Sequence, residues 1–315
     1  MKFWPALSES SQTQLHTEIQ AINAFCDETT SVPYLLLDRG DENPLQVDTS
    51  RLLPVPDPCF EETPWLAPQL LPLVLPGDKA LLQDALAAGV LMSTDRSAVQ
   101  WIGAVVLAPA DPFALLDHLA RLGIQHDPGD DAAPARLFRY QDPRVMQRVW
   151  PLLGEPQRRA WMGPVRRWQA AVQPTGRIVK DVSDLVALWC AAPAAASRAV
   201  HARLGHLLDV NQWRLAHSAP TETTFWQSAP PSQGTTPAAE SFPSTGTLRY
   251  WLHDAARQGL GDRDQAGWAL CHWMAGQDYS ESPAGQRRAQ AALALQHDHA
   301  GLDFATAWRT AGQSA

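Results

Sequence analysis

The sequence predicts an α/β N-terminal lobe, built on a mixed sheet flanked by helices, followed by a smaller all-helical C-terminal lobe. Three observations carry this. Short apolar runs bounded by Pro, Gly and Asp alternate with helical stripes in the first half of the chain. Residues 217–246 are rich in Pro, Ser, Thr and Ala, the composition of a linker or mobile loop. From Thr247 onward the apolar repeats are helical, and short links imply antiparallel packing. The expected organisation is an α/β lobe at 1–175, a helical connecting segment at 176–216, the linker at 217–246 and the helical lobe at 247–315. A chain of 315 residues with 45% hydrophobic content has enough apolar matter for packed cores.

Taken in order, residues 8–25 form a first helix, capped by Ser8 or Ser10, with Leu15, Ile19, Ile22 and Phe25 on its buried side. Val32 to Leu37 is a buried strand closed by the turn cluster Asp38-Arg39-Gly40-Asp41. The proline-rich stretch 43–64 is a surface loop. Trp65 to Leu75 is broken by Pro68 and Pro72 and suits an edge strand. A helix over 78–88 ends at Gly89, and Val90–Ser93 and Ala98–Leu107 are strand candidates. Asp111-Pro112 caps a helix whose stripe is Leu115, Leu116, Leu119 and Leu122. Short helices are expected over 181–190 and 194–208. In the last lobe, Leu248, Trp251, Leu252 and Ala255 make one stripe, and Ala266, Leu270, Trp273 and Met274 make the next. Ser282-Pro283 starts a third helix, and a fourth includes Leu302 to Trp308. Phe225 and Trp226 are anomalous inside a linker and suggest that it is pinned to the body.

Residues 137–145, LFRYQDPRV, hold the most unusual chemistry. Leu137 to Tyr140 read as a strand, Gln141-Asp142-Pro143 stop it, and Asp142 and Pro143 cap and start the next helix. That helix carries Met146, Val149, Trp150 and Leu153 on one face, and Gly154 ends it. Phe138, Asp142 and Pro143 are therefore expected to build a structural corner, flanked by Arg139 and Arg144. Between Arg136 and Arg167 eight arginines face two acids, a segment of about +6 in a chain of net charge −8. Such a segment is either a solvated helix face or a docking surface for an acidic partner.

The overall charge argues against a nucleic-acid or anionic-membrane binder. Four separated cysteines without a C-x-x-C pair, and an N-terminus without a long apolar run, point to the cytoplasm, with buried, reduced thiols. The sequence contains no phosphate-binding glycine loop, no H-E-x-x-H and no G-x-S-x-G. The ten histidines are scattered; His297 and His299 point to different sides of a helix, and His201 and His206 miss the i, i+4 spacing. No metal site or cofactor is expected. Asp38, Asp41 and Glu42 follow a strand, a position where hydrolases place carboxylates, although turn residues bonding their own backbone have the same pattern.

The corner, with the Gly163-Pro164 and Trp168 that follow it, resembles the effector-adaptor chaperone family of bacterial type VI secretion. Tyr34-Leu35-Leu36-Leu37-Asp38 is similar to that family's early strand, Pro64-Trp65-Leu66 to a Pro-Trp-Leu segment, and the run around Gly259 and Trp268 to its helical second lobe. The resemblance implies a non-enzymatic adaptor that binds a cognate effector toxin and helps load it onto the VgrG spike protein. Under that reading the partner-binding candidates are Arg139, Tyr140, Arg144, Arg158 and Arg159 at the corner, and Trp251 and Trp273 in the helical lobe. Thirteen tryptophans are many for this length, and the small helical lobe is expected to leave aromatic surface for a partner. The alternative is a hydrolase or transferase using Asp38, Asp41, Glu42 and His126; a third reading is a structural protein bound permanently to its partner.

Overall fold

The structure, a computed structural model, describes residues 3, 7–38, 45, 47–93, 101–130, 132, 134–171, 188–191, 204–228, 243, 245–276, 282–299 and 301–313. It divides into two compact units, Met1–His217 and Ser218–Ala315. The α/β lobe and the helical lobe are both present.

The first unit opens with α1 (Glu9–Thr29), where the Ser8 side chain accepts from the Ser11 N–H and Leu15, Ile19 and Ile22 are buried. The strands are β1 (Val32–Leu37), β2 (Leu53–Pro54), β3 (Gln69–Pro72), β4 (Ile102–Ala108), β5 (Ile124–Gln125), β6 (Arg136–Leu137), β7 (Arg167–Ala171) and β8 (Leu188–Ala191). Six of them form one sheet in the order β2-β3-β1-β4-β7-β8, and β5 pairs with β6 separately. The helices are α2 (Lys79–Ser93), α3 (Pro112–Gly123), α4 (Pro143–Val149) and α5 (Glu155–Met162). Strand alternation gives the sheet two apolar faces. Leu35, Leu37, Leu71, Val105 and Leu107 pack with Leu15, Ile19 and Ile22 of α1 and Leu82 and Leu86 of α2. Across the sheet, Leu36 pairs with Ala104 and Val106 with Trp168, on the opposite pleat.

Several expectations change. The sheet is not mixed, because every strand pair is antiparallel. A strand buried on both faces is a continuous apolar run whichever way its neighbour points, so the pattern carried no direction. Val90–Ser93 is the end of α2 rather than a strand. The helix continues through Gly89, which lies against Ile102 and Ala171 of the sheet. β3 sits between β2 and β1 instead of at the edge. Leu188–Ala191 is a strand where a helix was expected, and 181–187 lie outside the described residues. Of 194–208, only the short turn Leu204–His206 and the two residues after it are described. Gly154 begins α5, its N–H donating to Gln157 Oε1 at 2.8 Å, rather than ending α4, which stops at Val149.

A helix, α6 (Val210–Ser228), covers the first part of the expected linker, so 217–228 are helical. Phe225 explains this: it is completely buried in the core of the second unit, which a free linker would not allow. Residues 229–242 lie outside the described residues. The second unit continues with α7 (Thr245–Arg257), α8 (Asp262–Ala275), α9 (Pro283–Asp298) and α10 (Phe304–Gln313). Ser282 caps α9 by accepting from the Gly285 N–H at 3.1 Å. Asp264 accepts from the Phe304 N–H at 2.9 Å, tying α8 to the start of α10. Trp251, Trp268 and Trp308 are buried with Leu248, Leu252 and Phe304, so this small unit hides more of its tryptophan than expected.

No helix among the described residues is long and apolar enough to cross a membrane. Cys271 is buried, and burial pushes its thiol up to about 12. Cys26 is half-buried, and Cys59 is exposed, unlike the buried thiol expected. The side chain of Cys190 lies outside the described residues.

One close approach shapes the first unit. A Cβ on Gly103 of β4 would stand 2.4 Å from the Gln141 carbonyl oxygen and 3.1 Å from that of Leu36. Both obstacles are backbone and cannot swing aside. Gly103→Ala is therefore expected to lower stability by about 1–3 kcal/mol or more, measured as a fall in the denaturant midpoint. An unchanged midpoint would mean that the corner does not lie against β4.

Candidate functional site

The corner is assembled from backbone first. The Phe138 N–H donates to the Gly123 carbonyl at 2.6 Å, and the Asp142 N–H donates to the Arg139 carbonyl at 3.0 Å. This tight turn presents Asp142 to the first turn of α4. Its Oδ1 accepts from the Arg144 N–H at 2.9 Å, while Pro143 occupies a position whose missing N–H costs nothing. The Arg144 guanidinium folds back over the same carboxylate, Nε to Oδ1 at 2.9 Å and Nη2 to Oδ2 at 2.7 Å. The pair is nearly sealed, with side-chain exposures of 10% and 1%. Burial alone would raise the Asp142 carboxyl. The charge of Arg144, its hydrogen bonds and the charge of Arg139 outweigh burial and hold the carboxyl below the ordinary aspartate value.

A second carboxylate joins the corner to the sheet. Asp38, at the end of β1, is 5% exposed. Arg139 Nη2 reaches its Oδ2 at 2.6 Å, and Gln141 Nε2 donates to its Oδ1 at 3.2 Å. The Asp38 N–H donates to the Trp101 carbonyl at 2.9 Å, just before β4. Two residues of the corner and two strands thus meet at one side chain.

The apolar side of the corner is aromatic. Trp161 of α5 takes the edge or face of three rings: Phe138 at 5.2 Å, Trp150 at 6.0 Å and Trp168 at 6.4 Å between centroids. Tyr140 meets Trp168 at 6.4 Å. After α5, Gly163 adopts φ +50°, and a Cβ there would enter the His118 ring at 2.3 Å. His118 Nε2 lies 2.8 Å from the Trp161 carbonyl, so an Nε2–H donates and α3 is fixed to α5.

This geometry redistributes the expected partner-binding residues. Tyr140 and Arg144 are buried and offer no surface to a partner. Arg139 is about a third exposed and already paired with Asp38. Arg158 lies over the Trp150 ring at 5.5 Å, and Arg159 pairs with Glu155 at 2.7 Å; both are half-buried. In the helical unit Trp251 is buried, and Trp273 is half-buried with its ring 5.9 Å from Phe225. Phe138, Asp142 and Pro143 stand at the corner as described.

Of the residues of the alternative enzyme reading, Asp38 and His126 are described. Asp38 is engaged by Arg139 and Gln141, and Asp41 and Glu42 lie outside the described residues. His126 stacks on His206 at 4.7 Å. Among the described residues no three His, Cys, Asp or Glu side chains are grouped to hold a metal ion. Sequence reasoning missed Gln141 and Gly103. A glycine inside the apolar run 101–107 was the available signal, since glycine within a strand marks a close backbone approach.

A separate concavity lies in the helical unit. It is a cleft of about 680 Å³ lined by residues of α7, α8 and α9, with the buried rings of Trp251, Trp268 and His272 among its walls. Burial holds His272 below the ordinary histidine value, against a hydrogen bond to the Trp268 carbonyl and the charge of Asp254, which act the other way.

Two sets of variants test the corner. Arg144→Ala leaves Asp142 buried without its paired guanidinium and is expected to cost about 3–5 kcal/mol. The Tyr140 hydroxyl has no hydrogen-bond partner among the described residues, so Tyr140→Phe should leave the denaturant midpoint unchanged or raised. A neutral Arg144→Ala would place that arginine in solvent. For pH, Asp142 has a depressed folded-state pKa. Its contribution is complete above the ordinary aspartate value of about 3.9 and is lost as pH falls through the lower folded value. Asp142→Asn should therefore flatten the acid limb of the stability profile; an acid limb as steep as the parent's would contradict the pair. Comparisons with protein-family models, with curated proteins and with solved structures each find no match to the chain.

Proposed function

We propose that the chain is a non-enzymatic adaptor that binds an effector toxin of type VI secretion and helps to load it onto the VgrG spike. The reading rests on the corner. Of the residues that carry the resemblance, Arg139 bonds Asp38 at the end of β1, Asp142 and Pro143 start α4, and Phe138 packs on Trp161 of α5. A motif committed to internal contacts would hold the surfaces of such an adaptor in place. The same contacts weaken the hydrolase alternative, because Asp38 holds a guanidinium and an amide rather than a free proton acceptor. Affinity in such an adaptor comes from apolar anchors, with exposed charge setting orientation and on-rate.

The test is co-expression with any candidate toxin encoded beside this gene. A stoichiometric complex that survives gel filtration, and that then binds VgrG, is the expected result. Arg158→Glu and Arg159→Glu, whose side chains are partly exposed, should alter the association rate if the first unit faces the toxin. Absence of any complex, together with turnover of a small-molecule substrate, would overturn the proposal.

A further inference from the structure

The helical unit disposes of its arginines unevenly. Arg249 pairs with Glu222 at 3.3 Å, and Arg257 pairs with Asp254 at 2.6 Å. Arg288 lies 4.9 Å over the Trp308 ring and donates to the Trp308 carbonyl at 3.0 Å. Its neighbour Arg287 lines the cleft between the helices, is exposed, and has no hydrogen bond, ion pair or ring contact among the described residues. Asp254 also lines the cleft, but Arg257 already neutralises it. Among the described residues, the uncompensated charge in the cleft is therefore positive.

The other open groups suit a polypeptide. Tyr250 is 59% exposed although it lines the cleft beside buried Trp251. A rigid, amphipathic tyrosine of this kind contributes contact area at little entropic cost. Gln258 and Gln290 also line the cleft, and each amide offers both a donor and an acceptor, the pair of functions a peptide bond requires.

We propose that this cleft binds an acidic peptide segment of a protein partner, with an apolar side chain against Tyr250 and Trp251 and a carboxylate on Arg287. Gln258 and Gln290 hold the segment's backbone. A single cation among aromatic and amide groups suits one carboxylate on a mostly apolar segment better than a polyphosphate, which calls for several cations. The inference rests on the adaptor reading only in assuming a protein partner.

The test uses the full chain as bait for a displayed library of short random peptides, followed by fluorescence anisotropy of the most enriched peptide. The expected peptides carry Asp or Glu near Phe, Trp, Leu or Met. Arg287→Glu should weaken binding about tenfold, Arg287→Gln less, and exchange of the peptide's acid for Lys should restore affinity for the Glu variant. Arg121→Glu, on α3 of the first unit, should change nothing, and circular dichroism verifies the fold of each variant. No enrichment over bait-free panning, enriched peptides lacking an acid, or equal affinity for the Arg287 variants would each overturn the proposal. Peptide capture without toxin binding would sink the secretion reading and leave the cleft standing; toxin binding without peptide capture would do the reverse.

Discussion

Asp38 is the side chain on which the first unit depends. It ends a central strand, and it receives a guanidinium and an amide from a corner about a hundred positions later in the chain. Without it, the buried Gln141 amide would lose its acceptor and the partly exposed Arg139 its counter-ion, a cost that apolar packing does not remove. Gly103 makes the arrangement possible, because only a residue without a Cβ admits the Gln141 carbonyl against β4. Beyond it, Asp142 and Arg144 set the direction of α4, and Trp161 closes the aromatic face. Buried ion pairs seldom outdo well-packed apolar residues in net stability. Their role here is to select one arrangement of helix and sheet among those that bury the same rings.

The arginine-rich segment illustrates how misleading a local charge count is. Arg139 holds Asp38, Arg144 holds Asp142, and Arg159 holds Glu155. Arg158 covers Trp150, while Arg166 donates to the Thr29 carbonyl and to Ser31 Oγ. Arg167 sits near Glu18 and over the Phe25 ring. Of the acids that balance the segment, Asp142 and Glu155 lie within it and Asp38 and Glu18 come from elsewhere in the sequence, and others of its arginines rest on rings and carbonyls. Attention therefore moves from the corner to the helical unit, where Arg287 faces an open cleft.

Much of the fold was legible because the signals are local. Ser8, Asp111, Asp142 and Ser282 all cap helices by short-range hydrogen bonds, and Asp-Pro marks two of those starts. The stripe Leu115, Leu119 and Leu122 is buried as its spacing requires. What failed depends on distant partners. Val90–Ser93 is apolar enough for a strand, but it packs as helix against the sheet. Phe225 lies in a composition typical of linkers, yet the second unit's core draws it into a helix. At the site, Asp142 and Pro143 were legible as a cap, whereas the burial of Tyr140 and Arg144 was not. An arginine two positions after an aspartate gives no sign that the pair will be sealed between a helix and an aromatic cluster.

Asp38 and Arg139 act as one internal lock rather than as a turn residue and a surface cation. A double-mutant cycle with Asp38→Asn, Arg139→Met and the combined variant, read by denaturant unfolding, measures their coupling directly. A coupling of about 1–3 kcal/mol is expected, with the double variant less destabilised than the sum of the single variants. Additivity within about 0.5 kcal/mol would contradict it.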